Sequence, residues 1–306
     1  MTKNLTSILG QREVSFEVIL IDDNSTDHTE KVVFQFQKKY TNLKYIRLIT
    51  SDKSKRNALT AGVKAAQFKN ILVTDADCQP ATPDWAHLFL AQLSTRKQMI
   101  LGVSPYSAEK TYLNQLIRHE TYQTAIQFLS FAKHNRAYMG LGRNMAFSKS
   151  IFDKYSQYEL DQNLTSGDDD MFVQRVPQKF IAILTTPESF TFSQGKSTLK
   201  SWWRQKRRHY STAPVYKLKD QVMLSLNGLS LLFFWALSLI LLTHSVHILW
   251  CILIFIILKT AVFRRHQNLI GNQQIKWFWP LVDLNLVTFQ TLILIQNSLR
   301  KPKFWS

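Results

Sequence analysis

Cysteine is scarce in this chain: only Cys78 and Cys251 occur among 306 residues, and Cys251 sits in a strongly apolar stretch. Two such residues cannot build a disulfide framework, which excludes the small cross-linked secreted domains and suits a reducing compartment for the polar part. Acidic residues are also short. Asp plus Glu number 21 against 38 for Lys plus Arg, a formal charge of +17, so the favoured partners are polyanions: nucleic acid, anionic lipid or phosphorylated substrates. The amino terminus, MTKNLTSILGQREV, has no apolar centre of the kind a signal peptide needs. No nucleic-acid-binding module accompanies the positive charge, and nucleic acid is not expected as a partner. The length allows one large domain or two modest ones with an ordinary core.

From Phe16 to about Tyr106 apolar runs alternate with segments of helical period. FEVILI, LKYIRLI, NILVTD and MILGV read as strands, with TEKVVFQFQKKY, KRNALTAGVKAAQF and PDWAHLFLAQL as the helices between them. Such alternation predicts an α/β fold, a mostly parallel sheet with helices on both faces. In sheets of this kind ligands sit outside the carboxyl ends of the strands. Asp22-Asp23, closing EVILIDD, and Asp75-Ala76-Asp77, closing ILVTDAD, both fall at such ends. For the first pair three readings stand side by side: a solvated acidic turn, the metal site of a receiver domain, or the base-binding end of a sugar-nucleotide transferase. VTDADCQP lies at about the distance where a receiver would carry its phospho-accepting Asp. A second acidic cluster, a basic helix and apolar spans have no use in a receiver.

Residues 111–134 read as one long helix, followed by the loop MGLGRN and the cluster SGDDDMFVQRV. Ser166 and the Asp run after it are good helix-start residues. TLKSWWRQKRRHYSTA, residues 198–213, is basic and aromatic with helical potential, a composition that suits a membrane surface. Beyond Asp220 the chain turns apolar. Residues 222–243 hold no charge over a bilayer-spanning length. A second candidate span covers roughly 246–263, with Lys259 near its end where it can snorkel, and Arg264 and Arg265 set that end on the cytosolic side. A third stretch, roughly 279–297, contains Asp283 and Asn285, and Arg300, Lys301 and Lys303 follow it. A crossing there would leave that charge on the far side, so a re-entrant or interfacial segment competes with a span.

Taken in order, EVILIDDNSTDHTEKV, ALTAGVKAAQFKNILVTDADCQP, GLGRNMAFSKSIF with SGDDDMFV, and QKRRH before apolar helices resemble a family-two glycosyltransferase of GT-A fold. The resemblance covers the chain to about residue 216 and implies a glycosyltransferase domain over 1–216, then a membrane domain over 217–306 with two or three spans. It implies inverting transfer of a hexose from a nucleotide-sugar donor, expected to be a UDP-sugar, to a lipid-linked or polysaccharide acceptor at the cytosolic face of a bacterial-type cytoplasmic membrane. By the same resemblance Asp77 holds a divalent metal, Mg²⁺ or Mn²⁺, and Asp75 contacts the metal or the ribose. Asp22 or Asp23 accepts hydrogen bonds from the base. Asp169 is the general base, Asp168 its neighbouring partner, and Asp170 an extra carboxylate by which that assignment can slip. Gln205, Arg208 and His209 occupy the family's Q-x-x-R-W positions, where an Arg neutralises the leaving diphosphate. His209 stands where the family has Trp, which weakens any inference of processivity. Lys55 and Arg56 are further candidates for phosphate contact.

The family normally opens with another strand, ending in a Pro-x-x-Asn-Glu-like loop, and a helix ahead of LTSILGQ. The sequence therefore predicts a truncated first element. On that expectation the alternative function is a catalytically silent, membrane-anchored glycosyltransferase-like protein.

Overall fold

The apolar runs between Phe16 and Tyr106 become strands, and the helical-period segments become the helices that join them. The computed structural model describes residues 2–49, 55–156, 167–241, 243, 246–270 and 279–300, so Ser166, Lys301 and Lys303 lie outside the described residues. In chain order the first elements are α1 (Thr2–Leu9), β1 (Val18–Asp22), α2 (Thr29–Gln37), β2 (Leu43–Arg47), α3 (Lys55–Ala65), β3 (Asn70–Val73), β4 (Gln79–Pro80), α4 (Trp85–Gln92) and β5 (Met99–Leu101). There follow α5 (Tyr112–Lys133), β6 (Met145–Ser148), α6 (Lys149–Tyr155), α7 (Asp168–Arg175), β7 (Ile181–Ile183) and β8 (Thr191–Phe192). The chain continues through α8 (Leu199–Tyr210), α9 (Leu218–Leu241), α10 (Ile248–Arg265) and α11 (Trp279–Leu299). Two compact units result. The first comprises Met1–Ser104, Phe128–Glu159 and Asp168–Gln194, and the second Pro105–Gln127, Leu160–Gly167 and Gly195–Ser306.

In the first unit β1 and β2 pair in parallel, and β3, β6, β5 and β7 form a four-stranded sheet in that order. β5 and β7 are parallel, but β6 runs antiparallel to both β3 and β5, with Val73 opposite Met145 and Asn70 opposite Ser148. The sheet is thus mixed, where alternation predicted a mostly parallel one. β6 escapes a pattern reading because its four residues pass straight into α6, whose start Ser148 caps by accepting the Ile151 N–H at 3.3 Å. One core of the unit gathers Trp85, Phe89, Ile100, Ala146 and Leu184, and another joins Leu5 and Leu9 of α1 to Val33 and Leu43. Each large side chain so buried contributes about 1.5–3 kcal/mol.

Two local devices fix the loops that matter later. Phe147, Phe152 and Phe172 meet with ring centroids 5.2–5.5 Å apart, which ties β6 and α6 to α7. α1 grips the segment after β3: Asn4 donates to the Ala76 carbonyl at 3.0 Å, while Gln11 donates to Thr82 O and accepts from Ala86 N.

The second unit is helical. Its apolar cluster comprises Tyr106, Leu116, Ile117, Trp202, Val282 and Leu286, from α5, α8, α11 and the segment before α5. Within the unit Asp283 is fully buried and accepts from Lys259 Nζ at 2.6 Å, Trp235 Nε1 at 3.2 Å and Gln123, with His119 Nε2 at 3.5 Å. α5, α9, α10 and α11 each supply one or more of these groups. Lys259, expected to snorkel, is instead held by this carboxylate, because an acid buried among helices requires a partner more than the ammonium requires water. Among the described residues α9 is the one helix long and apolar enough to cross a membrane. α9 and α10 expose a run of large apolar side chains, including Phe233, Leu237, Trp250 and Leu258.

Candidate active site

β1 ends on Asp22, and the two neighbouring acids there have different lives. Asp22 is buried, accepts the Ser25 N–H at 2.7 Å and the Tyr45 hydroxyl at 2.5 Å, and so closes the turn after the strand. Burial opposes its charge, yet the bonds from Ser25 and Tyr45, with the nearby Arg47, outweigh burial and hold its carboxyl below the ordinary value. Burial and the bond to Asp22 push the Tyr45 phenol up to about 12. Asp23 is the reverse case: its Oδ1 is buried and has no hydrogen-bond partner. An orphaned carboxylate oxygen costs free energy unless a donor from elsewhere reaches it.

β3 ends just before the second acidic pair. One ligand atom from each of Asp75, Asp77 and Cys78 lies within 4.8 Å of the others. Burial pushes the Cys78 thiol up to about 12, so its sulfur stays a protonated, poor ligand, and the carboxylate oxygens of Asp75 and Asp77 are hard donors of the kind that fit Mg²⁺ or Mn²⁺. The Cys78 N–H donates to Asp75 O at 3.0 Å, which curls the loop and turns both acids to one place.

Asp168, Asp169 and Asp170 open α7, yet they do more than charge its first turn. Asp169 Oδ2 accepts the Gly142 N–H at 3.1 Å, and Asp170 Oδ1 accepts the Gly140 N–H at 3.3 Å. Both glycines belong to MGLGRN. A Cβ on Gly142 would lie 2.0 Å from Asp169 Oδ2, so only glycine lets the backbone come this close. The loop is itself anchored by Asn144, fully buried, which accepts from Trp85 Nε1 at 2.8 Å and donates to the Val103 and Ser189 carbonyls. Burial, then the adjacent Asp169 charge, raise the Asp168 carboxyl above its ordinary value.

Lys55, at the start of α3, joins the two acidic groups. Its Nζ is 3.2 Å from Asp75 Oδ1 and 3.4 Å from Asp169 Oδ2. The charge of Asp169, with that of Asp75 behind it, raises the ammonium pKa against the effect of burial, so Lys55 stays cationic. Arg56 is turned to the Ser156 carbonyl at 3.0 Å. The first unit therefore assembles Lys55, Asp75, Asp77 and Asp169 around one ion-pair bridge. Gln205, Arg208 and His209 lie on α8, in the second unit, where Gln205 Nε2 donates to Tyr106 OH at 3.4 Å.

Sequence reasoning overlooked Gly142, Asn144, Tyr45 and Cys78. The paired glycines of MGLGRN were the available signal, since glycine beside an acidic cluster marks a close backbone approach. The partners of Asp22 and Asn144 are set by strands remote in sequence and leave no local trace.

A probable glycosyltransferase, YdaM, of Bacillus subtilis (strain 168) is 29% identical over 198 residues, 63% of this chain and 46% of that protein. The human dolichyl-phosphate beta-glucosyltransferase is 38% identical over 72 residues, 23% of this chain and 22% of that protein. The chain thus spans less than half the length of these curated relatives. Among solved structures, the mannosyltransferase PcManGT from Pyrobaculum calidifontis, in complex with GDP-Man and Mn²⁺, aligns over 96% of this chain and 82% of that one, with a TM-score of 0.56 at 15% identity. That likeness is one of fold, the GT-A type of α/β architecture. The profile of Glycosyl transferase family 2 matches residues 1–156, just over half of the chain and the stretch that carries both acidic strand ends, Lys55 and the MGLGRN loop: the chain belongs to that family.

Proposed function

We propose that this chain is a membrane-bound inverting glycosyltransferase that moves a sugar from a UDP-linked donor to a lipid-linked or polysaccharide acceptor at the cytosolic membrane face. The observation that carries the proposal is the Lys55 bridge, which keeps the carboxylates suited to a diphosphate's metal within one side chain's reach of the carboxylate suited to an acceptor hydroxyl. Among relatives, the names of a poly-beta-1,6-N-acetyl-D-glucosamine synthase of Staphylococcus epidermidis and of the dolichyl-phosphate enzyme point to a polysaccharide and a lipid-linked acceptor respectively. Support for the membrane comes from α9, from the exposed apolar side chains of α9 and α10, and from Arg264 and Arg265, which favour the cytosol for the end of α10.

Each residue then has a task. Asp23 offers its unpartnered Oδ1 to the imide N–H of the base, a role Asp22 is poorly placed to share because Ser25 and Tyr45 already use its two oxygens. Asp77 and Asp75 hold the divalent ion, which when bound supplies Lewis acidity to the diphosphate oxygens. Lys55 adds positive charge beside the same group. Asp169 takes the proton of the acceptor hydroxyl as that oxygen attacks the anomeric carbon and the bond to the diphosphate breaks, a single displacement that inverts the centre. The Gly142 N–H aims Asp169 without neutralising it. For α8, the family pattern assigns Arg208 and Gln205 to the leaving diphosphate and His209 to the acceptor sugar.

Calorimetric titration of the detergent-purified chain with UDP and UDP-sugars, with and without Mn²⁺, tests the donor site. Metal-dependent binding is expected, and Asp77→Ala should weaken it at least about tenfold, the equivalent of one charge-assisted contact. Absence of binding by every nucleotide tested would overturn the proposal. Gly142→Ala should leave UDP binding intact and lower kcat by about 10²-fold, because its Cβ displaces the Asp169 carboxylate. An unchanged kcat would mean that Asp169 need not sit where Gly142 holds it.

A further inference from the structure

Successive residues of an α-helix are turned by about 100°, so α8 presents distinct sides. Gln205, Arg208 and His209, at i, i+3 and i+4, share one of them. Trp202 and Lys206 lie on the next: Trp202 is buried in the apolar cluster, and Lys206 Nζ is 2.6 Å from Glu120 Oε1 of α5, both side chains being buried. Trp203 and Arg207 lie beyond these and meet α11. Trp203 Nε1 donates to Gln296 at 2.7 Å and Arg207 Nε to Asn297 Oδ1 at 2.9 Å, while Asn297 Nδ2 donates back to the Arg207 carbonyl at 2.8 Å. Lys200 and Arg204, on the remaining side, are exposed.

The contact of Asn297 differs in kind from the others. One amide holds both the side chain and the backbone of Arg207, and two attachments at a single residue fix rotation about the helix axis where one would act as a pivot. The next two residues are Arg208 and His209. With the Lys206–Glu120 ion pair on the adjacent side, α8 can neither roll nor slide without breaking a buried or two-point contact.

We propose that Asn297 is a positioning residue that sets the rotation of α8, and so the aim of Arg208. The assignment rests on the proposed role of α8 at the leaving diphosphate. It is carried by geometry within the second unit alone, and it gives α11 a duty in the reaction besides packing.

The test is a double-mutant cycle on the full chain in detergent, with kcat, donor KM and Tm measured for Asn297→Ala, Arg208→Ala and the pair. Asn297→Ala should lower kcat about tenfold or more, with donor KM little changed. In the Arg208→Ala background the same change should lower kcat far less, since most of its effect passes through Arg208, while Tm shifts add. Arg204→Ala, on the exposed side, should behave as the parent. An equal fall in kcat in both backgrounds would show a general structural effect and overturn the assignment. So would an unchanged kcat in Asn297→Ala where Arg208→Ala is impaired. An unchanged kcat in Arg208→Ala would remove the proposed role of α8 itself, and this assignment with it.

Discussion

Asp169→Asn is expected to lower kcat for sugar transfer by about 10²–10⁴-fold while leaving UDP-sugar affinity nearly unchanged. Asparagine keeps an oxygen that can accept the Gly142 N–H, so the loop stays in register, but it cannot take a proton from an acceptor hydroxyl. The Lys55 bridge loses one of its two acids and retains Asp75. Steady-state transfer set against donor titration separates the two effects. Near-normal turnover would move the base to another carboxylate, and Asp168, whose proton affinity is already raised, would be the first to test.

The largest effect on stability should come from Asp283→Ala. Removing this carboxylate strips Lys259, Trp235 and Gln123 of a common acceptor inside the helical unit. Breaking a buried ion pair by deleting one partner costs about 3–5 kcal/mol, because the surviving charge stays desolvated. Replacing both partners, Asp283→Leu with Lys259→Met, should recover much of that loss, since the penalty lies in the orphaned group more than in the absent attraction. Thermal unfolding in detergent compares the two variants. A single variant as stable as the parent would mean that water or lipid reaches Lys259 freely.

What could be read from the sequence follows the range of the interactions. FEVILI, LKYIRLI, NILVTD and MILGV announce β1, β2, β3 and β5 because apolar content and bounding turn residues are local, and KRNALTAGVKAAQF announces α3 for the same reason. Asp75 and Asp77 are legible as a pair because they follow a strand directly. The antiparallel sense of β6 is not, since direction is set by where the long excursion through α5 returns the chain. Nor could the sequence separate Asp22 from Asp23: they are adjacent and chemically alike, and Tyr45, 23 residues away, decides which of them is already occupied. Lys259 misled because a lysine near the end of an apolar helix ordinarily reaches for water, and its partner Asp283 lies 24 residues further on.

The direction of β6 governs more than sheet topology. An antiparallel strand enters its sheet at the end where its neighbour leaves, and with Val73 opposite Met145 the residues just before β6 stand beside those just after β3. MGLGRN, and Asp169 with it, thereby becomes a neighbour of the Asp75 loop although some seventy positions of chain separate the two loops. A slip of two residues along this pair would keep the alternation of inward-facing and outward-facing side chains. It would nevertheless carry Gly142 about 7 Å along the strand, far enough to take Asp169 out of reach of Lys55. Sequence changes near Met145 that shift this register are therefore expected to disrupt the site together with the buried contacts of Asn144 and Phe147.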